Sequence, residues 1–272
     1  MKQLKSNSQD LKDIFEQAIT AKHIAESFRS FDADADDSKV RTFMEEHGYD
    51  VIGVRISGQI EGYSAKETLS DGKIGANICR FDPTELVSDT TTLVEVFRIL
   101  RDKPRVYVTY FNAVVGIVTR GDLQKAPVRM WLFGLVTLLE MQLLRLIRGC
   151  HPNEESWKQL LSQKRLTIAS GEFSKRRAKN VEIDLADCLQ FCDKRDIFLE
   201  LLKSDEIKNL IDIKSKTKVE RLLDRARDLR DNLAHAQDII PGSLPEMTDL
   251  VQEIESLLEK MEKVEFPNAG VV

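Results

Sequence analysis

The sequence repeats itself at a fixed spacing. Gly62 and Gly116 lie 54 positions apart, and Leu69 and Leu123 are separated by the same interval. No gap is needed to align the two copies, and apolar residues of one fall on apolar residues of the other. The aligned pairs are Phe43 with Phe97, Ile52 with Val106, Val54 with Val108, and Ile60 with Val114. Internal repeats of this kind indicate two copies of one structural unit.

Each copy has the pattern helix, strand, strand, helix. In the second copy, four apolar residues have the spacing of a helix with one buried face. They are Leu93, Val96, Phe97 and Leu100. Arg105–Tyr110 and Ala113–Val118 are rich in β-branched and aromatic residues and predict two strands joined by a short turn. The first copy has Tyr49–Ile56 and Gln59–Tyr63 around the hairpin turn Ser57-Gly58.

The end of the second copy reads Gly116-Ile117-Val118-Thr119-Arg120-Gly121-Asp122-Leu123. This resembles the signature of the CBS domain, a glycine, two apolar residues, threonine, two variable residues, aspartate and leucine. The resemblance covers roughly Phe31–Pro127 and is more specific in the second copy than in the first. It implies a tandem CBS pair (a Bateman module) over residues 31–127, with two clefts. In this family such clefts commonly bind adenosine-containing ligands such as AMP, ATP or S-adenosylmethionine.

The motif suggests which residues contact the ligand. By the resemblance, Asp122 holds the ribose, Thr119 bonds near the ribose or phosphate, and Arg120 binds the phosphate, with Gly116 part of the same site. The first copy has Ala65 and Thr68 where the second has Thr119 and Asp122, so at most one good nucleotide site is expected. Two alternatives stay open. Thr119 can simply cap the following helix, with Asp122 near the positive end of that helix. The tandem CBS pair can also have a purely structural role, without a ligand.

From residue 127 onward the strand pattern disappears. Five segments predict helices, and Leu166–Asp184 gives no clear prediction. The five are Met130–Arg148, Asn153–Gln163, Leu185–Leu202, Thr217–Ala236 and Pro245–Val264. We therefore expect an α+β protein with an N-terminal helix in residues 1–30, the CBS pair in 31–127, and an all-α helical bundle in 128–272.

The helix after Lys216 contains Arg230-Asp231-Asn232-Leu233-Ala234-His235. This resembles the Arg-x4-His motif of the HEPN domain, in which the residue after the arginine is typically polar. The resemblance implies a homodimer in which two motifs form one metal-independent RNA-cleaving site. Histidine moves the proton of the 2′-hydroxyl, and arginine stabilises the phosphate. Asp231 would orient His235 and Asn232 would bind a phosphate oxygen, giving 2′,3′-cyclic phosphate and 5′-hydroxyl ends.

Two other interpretations of the motif stay open. Arg227, Arg230 and Asp231 can form a solvated array of ion pairs, with His235 an ordinary histidine at a helix end. Some HEPN domains have also lost catalysis and serve for dimerisation or binding. The leading hypothesis is thus an endoribonuclease regulated by an adenine nucleotide. Its rival is a non-catalytic nucleotide-binding regulatory scaffold whose helical domain dimerises or binds a protein partner.

Composition and charge bear on the ligands and the cellular location to be expected for this protein. A net charge of −5 gives no electrostatic case for nucleic-acid binding by the whole chain, although Lys164–Lys179 is strongly basic. The first residues lack the apolar core of a signal peptide, and charged and polar residues interrupt Met130–Ile147, which predicts a buried helix rather than a membrane span. The four cysteines fit no zinc pattern, and Cys188 and Cys192 are expected in the core. We expect a cytoplasmic protein without a metal and without a catalytic cofactor, whose ligand is a regulatory nucleotide.

Overall fold

The computed structural model describes residues 13–14, 17–235 and 243–266, which divide into two compact units. The repeat unit spans Glu16–Val128, and the helical unit spans Arg129–Val272 together with Met1–Phe15. The division at Val128 lies next to the expected boundary after residue 127. The repeat unit begins well before residue 31, where the sequence placed its start.

The repeat unit contains two sheets. One has the strand order β2-β3-β4 and the other has the order β1-β7-β6-β5. The strands are β1 (Glu26–Ser27), β2 (Ser30–Asp32), β3 (Val51–Ile56), β4 (Gln59–Ala65), β5 (Leu86–Ser88), β6 (Arg105–Tyr110) and β7 (Ala113–Thr119). In each sheet a short strand pairs in parallel with the first strand of an antiparallel hairpin. The α+β class is therefore confirmed.

The two hairpins match residue by residue. The pairing of β3 with β4 is irregular between Val54 and Arg55, and that of β6 with β7 is irregular between Val108 and Thr109. Both turns have two consecutive residues with positive φ, as a tight two-residue hairpin turn requires. They are Ser57 (51°) and Gly58 (83°) in the first copy, and Phe111 (46°) and Asn112 (62°) in the second. All these equivalents keep the 54-residue spacing, so the repeat in sequence is a repeat in structure.

Each copy also contributes a helix that covers its sheet. These helices are α1 (Asp37–His47) and α2 (Leu93–Asp102). Val40 and Met44 of α1 are fully buried, as are Val96 and Leu100 of α2. The second helix begins at Thr92, whose side chain accepts a hydrogen bond from the backbone N–H of Glu95. The apolar residues that recur at helical spacing in the sequence are therefore the residues that these helices bury.

Of the expected N-terminal helix in residues 1–30, residues 13–14 and 17–18 are helical, whereas the part from Ala21 onward is corrected. Residues 1–12, 15 and 16 lie outside the described residues. Ala21–His23 is a short 3-10 helix, and β1 pairs antiparallel with β7 through Glu26–Ile117 and Ser27–Gly116. A two-residue strand carries too little alternation to be recognised in a sequence. It forms because β7 has an open edge whose backbone groups need partners.

The described residues of the helical unit contain helices and no strand. The α-helices are α3 (Ala126–Cys150), α4 (Glu154–Lys158), α5 (Gln163–Arg177), α6 (Phe191–Leu201), α7 (Asp205–Leu210), α8 (Lys216–Ala234) and α9 (Leu244–Glu262). Helix α5 fills most of the region that the sequence left open, and the segment after Asn153 is a much shorter helix than expected. Helix α3 is long and apolar enough to cross a membrane, but 61% of its most apolar window is buried inside the protein. That burial is typical of a core helix.

Two partly buried ion pairs join helices of this unit. Lys194 Nζ of α6 lies 2.8 Å from Glu140 Oε1 of α3, and the side chain of Lys194 is 8% exposed. The neighbouring Asp193, also buried, accepts a hydrogen bond from Arg165 of α5. Breaking a buried pair leaves an unpaired charge in the interior and is strongly destabilising. These pairs therefore fix α6 against α3 and α5.

Candidate functional site

A cleft of about 640 Å³ opens in the repeat unit, a volume typical of sites for small molecules. Of the residues expected to bind a nucleotide, Thr119, Arg120 and Asp122 line it. Its apolar walls include Phe28, Val51 and Ile117. The structure thus places three of the four expected residues around one cavity. The side chains of these three residues already make hydrogen bonds within the protein, which affects how each could bind a ligand.

Asp122 and Thr119 bond to each other. The carboxylate Oδ2 of Asp122 accepts from the backbone N–H of Thr119 at 2.7 Å and from its hydroxyl at 2.9 Å. Asp122 Oδ1 pairs with Lys125 Nζ at 2.8 Å. Burial lowers the pKa of Lys125, but hydrogen bonds to Asp122 and Glu26 outweigh burial and hold it above its usual value. The aspartate therefore caps the 3-10 helix Arg120–Gln124, the role that the capping interpretation gave to this pair.

Arg120 is also engaged by the protein. Its Nε donates to the carbonyl of Leu100 at 3.3 Å, and its Nη2 donates to the carbonyl of Arg101 at 3.2 Å. These carbonyls belong to the last turn of α2, where helical carbonyls lack partners within the helix. The guanidinium therefore satisfies the end of α2, and its expected bond to a phosphate would compete with these bonds.

Gly116 has a packing role. A Cβ at this position would lie 3.2 Å from both the Cβ of Ala25 and the carbonyl oxygen of Glu26. Its equivalent Gly62 is tighter, with a Cβ position 2.4 Å from the carbonyl oxygen of Cys79. In both copies the glycine lets another segment approach the second hairpin strand. This close approach accounts for the glycine without any ligand.

Arg105 is a cleft residue that the sequence motif did not include. It lines the cavity, and its Nη1 is buried without a hydrogen-bond partner in the described structure. The hydroxyl of Tyr107 lies beside the guanidinium of Arg105 and is also buried without a hydrogen bond of normal geometry; burial raises the pKa of Tyr107, and Arg105 opposes part of that rise. A buried polar group without a partner is costly and calls for an explanation such as a ligand. One feature of the sequence could have identified Arg105. It is a charged residue at the start of a strand, whereas the equivalent strand of the first copy starts with the apolar Val51.

A second cleft, of about 660 Å³, lies within the helical unit, and Arg230 of α8 lines it. The other motif residues are not among those that line it. Asp231 is exposed and lies 3.4 Å from Arg230 Nη1, and the carbonyl of Asn232 accepts from Arg129 Nη2 at 3.4 Å. His235 is exposed and ends α8, donating its backbone N–H to the carbonyl of Asp231.

Cys188 and Cys192 were both expected in the core, but they differ in burial. Cys188 is buried, and burial raises its pKa, whereas Cys192 is half-buried and accepts from Arg165 Nη2 at 2.7 Å. Over the described ranges, no group of three or more metal-ligating side chains is placed to hold an ion.

Solved structures are similar to part of this chain. The CBS domains of a transcriptional regulator from Streptococcus pneumoniae share 18% sequence identity and cover 38% of this chain and 95% of that chain, with a TM-score of 0.34. CBSX2 in complex with AMP shares 15% identity over 41% of this chain and 97% of that chain, with a TM-score of 0.36. The CBS domain of a bacterial CNNM/CorC family Mg²⁺ transporter in complex with ATP shares 14% identity over 43% and 91%, with a TM-score of 0.34. No protein-family model matches the chain, and neither does any curated protein.

Proposed function

We propose that the repeat unit is a CBS pair that senses an adenine nucleotide in the 640 Å³ cleft. The observation that carries the proposal is the buried, unpartnered Nη1 of Arg105 at this cleft. Arginine binds phosphate through several N–H groups, and a phosphate oxygen would satisfy this atom. The apolar wall that includes Phe28 and Ile117 suits a purine base.

Roles in this proposal follow from what each side chain already bonds. Arg105 binds the phosphate, while Arg120 mainly holds the end of α2. Asp122 keeps its capping bonds to Thr119, and a ribose hydroxyl shares Oδ1 with Lys125. A carboxylate has lone pairs for more than one donor, so capping and ribose binding are compatible. The first copy has Val51, Ala65 and Thr68 at the equivalent positions, which favours one nucleotide per chain.

Titration calorimetry with AMP and with ATP tests this proposal on the wild type and on Arg105→Gln. Losing a hydrogen bond to a charged group costs about 1.5–3 kcal/mol, so affinity should fall about 10- to 100-fold. Arg80→Gln is the matched control, because Arg80 is an exposed arginine of the same unit that pairs with Glu61. The proposal fails if the wild type binds neither nucleotide, or if Arg105→Gln binds like Arg80→Gln.

For the helical unit we propose a HEPN-like, metal-independent endoribonuclease that acts as a homodimer. The position of Arg230 on a cleft shared with Lys175 and Arg176 favours this function. As the HEPN motif implies, two copies of the chain bring their motifs together, each contributing Arg230 and His235. His235 then moves the proton of the RNA 2′-hydroxyl, and Arg230 stabilises charge on the phosphate. Asp231 and Asn232 keep the supporting roles that the motif implies.

Incubation of the full chain with a mixed RNA pool in EDTA tests the catalytic proposal. Wild type should leave 2′,3′-cyclic phosphate ends, and His235→Ala should cleave about 10²–10⁴-fold more slowly. Arg230→Ala should also be impaired, while circular dichroism confirms that both variants fold. If the wild type leaves RNA intact, the helical unit is the dimerisation or partner-binding part of a regulatory scaffold, with the nucleotide site unaffected.

A further inference from the structure

One face of α5 forms a wall of the cleft that holds Arg230. The lining residues of α5 recur at the spacing of a single helical face. They are Thr167, Ile168, Gly171, Glu172, Lys175 and Arg176. Lys194 and Arg230 line the cleft from α6 and α8. Four cationic side chains from three helices therefore meet at one cavity.

Three carboxylates also line this cleft, and each is bound by a cation. Glu172 accepts from Arg176 at 2.8 Å, and Glu140 pairs with Lys194 at 2.8 Å. Asp187 lies 2.8 Å from Arg148, which is outside the cleft lining. The acidic groups of the cleft are therefore neutralised within the protein.

Two cations are left available to a ligand. Lys175 lines the cleft and is exposed. The nearby Glu172 is bound directly by Arg176, which lowers its pKa, and the charge of Lys175 helps to lower it. Within the part of the chain that the structure describes, Arg230 pairs with its exposed neighbour Asp231 at 3.4 Å, and exposed ion pairs of this kind contribute little. The cleft thus presents one ammonium and one guanidinium group to whatever enters it.

The charge around α5 extends this surface beyond the cleft. The segment Lys164–Lys179 contains six basic residues, Lys164, Arg165, Lys175, Arg176, Arg177 and Lys179, and a single acidic one, Glu172. Lys179 is exposed in the turn that follows α5, just beyond the cleft residues Lys175 and Arg176, whereas Arg177 lies on the opposite side of the helix. Arg165 and Arg176 are already paired with Asp193 and Glu172, and the remaining cations of the segment give a local positive field that attracts an anion.

We propose that this α5 face, with Arg230, is the groove that holds the phosphate backbone of a single-stranded RNA. This inference rests on the proposed endoribonuclease function and assigns its substrate path. A positively charged groove that follows the backbone is the usual way to bind a single strand without sequence preference. Lys175 and Arg230 contact phosphates inside the cleft, and Lys179 contacts one beyond it.

Gly171 allows a sharp test of the groove. A Cβ at Gly171 would meet nothing within 4 Å, and the residue lies in a regular helix. Gly171→Glu therefore adds a carboxylate to the cleft wall without a clash, at a position where replacing glycine favours the helix. Ser170→Glu is the matched control, because Ser170 is exposed on the same helix and is not among the lining residues.

The probe is a fluorescent 2′-O-methyl oligoribonucleotide, which lacks the nucleophilic hydroxyl and cannot be cleaved. Fluorescence anisotropy with the full chain should show at least a tenfold loss of affinity for Gly171→Glu and less than a threefold loss for Ser170→Glu. Lys175→Gln should bind more weakly and with a shallower salt dependence, since each lost phosphate contact releases one counterion fewer.

The outcomes separate the groove from the catalytic proposal. Groove-dependent binding by a wild type that cleaves no RNA would uphold the groove and reject catalysis. Equal binding by Gly171→Glu and Ser170→Glu would overturn the groove, whatever the cleavage assay shows, as would a wild type that does not bind the probe. Displacement of the probe by poly-glutamate as efficiently as by RNA would identify a general polyanion surface and also overturn it.

Discussion

Arg105 and Thr119 are opposite each other in the β6–β7 pair, and both line the cleft of the repeat unit. Directly opposed residues of an antiparallel pair have their Cβ atoms about 5 Å apart. The start of β6 and the end of β7 therefore bring a cation and a hydroxyl to one place. The capping bond from Thr119 to Asp122 adds a carboxylate beside them. This pairing register is the structural basis of the proposed nucleotide site.

Asp122→Ala should lower stability even without a ligand. The substitution removes the cap at Thr119 and leaves Lys125 with only Glu26 and a backbone carbonyl as partners. Loss of a cap costs about 0.5–2 kcal/mol, which urea denaturation of the ligand-free protein will detect. Asp122→Asn keeps an acceptor for the backbone N–H and should lose less. Equal stability of wild type and Asp122→Ala would show that the cap contributes nothing.

Gly62→Ala and Gly116→Ala compare equivalent positions of the two copies. At Gly62 the new methyl group would meet the backbone oxygen of Cys79 at 2.4 Å, whereas at Gly116 the nearest atoms are at 3.2 Å. Overpacking costs about 1–3 kcal/mol, so Gly62→Ala should lose that much and Gly116→Ala less. Thermal denaturation of both variants will show which substitution causes the larger loss of stability. A larger loss at Gly116 would contradict it.

Acid should destabilise the protein partly through Asp82. Its carboxylate accepts from the backbone N–H of Thr84 and from Lys103, and these bonds lower its pKa to about 2. An unfolded aspartate has a pKa of about 3.9. The stabilisation is therefore present above about pH 4 and is lost as the pH falls towards 2. Denaturation at pH 5 and pH 3 should show a smaller acid loss for Asp82→Asn than for wild type, and identical losses would exclude this contribution.

A homodimer is expected because, in the proposed catalytic site, the motifs of two chains meet, each with its Arg230 and His235. Sedimentation equilibrium at micromolar concentration should give about twice the chain mass of 31.0 kDa. The ligand-free protein and the protein with AMP should both be measured, since the nucleotide can regulate assembly. A strict monomer under both conditions would remove the catalytic proposal and leave the nucleotide site standing.

Periodicity accounts for what the sequence predicted well. The 54-residue repeat predicted both hairpins, and the turns Ser57-Gly58 and Phe111-Asn112 lie where it placed them. Long amphipathic patterns such as that of α8 predicted helices, because burial of one face selects the residues along it. The glycine-to-leucine motif led to three residues that line the cleft.

The remaining features depend on contacts between distant segments. Strand β1 exists because β7 offers an edge, and no local pattern of two residues reveals that. Arg105 became a candidate only when its unpartnered atom was seen beside the cleft. The engagement of Arg120 by the end of α2 likewise follows from the fold, since the motif alone gave it a free guanidinium.

The pairing of β1 with β7 has a consequence for the order of folding. Strand β1, the first strand among the described residues, pairs with β7, the last strand of the repeat unit, so the two meet only after the intervening residues have been synthesised. Contacts between such distant segments are slow to form, because the entropy of closing the loop is lost before the contact is gained. During translation the backbone groups of Glu26 and Ser27 therefore cannot pair with β7 until Thr119 has left the ribosome. The repeat unit becomes complete late in its own synthesis, and the cleft proposed to bind a nucleotide, which includes residues of both β1 and β7, is completed at the same stage.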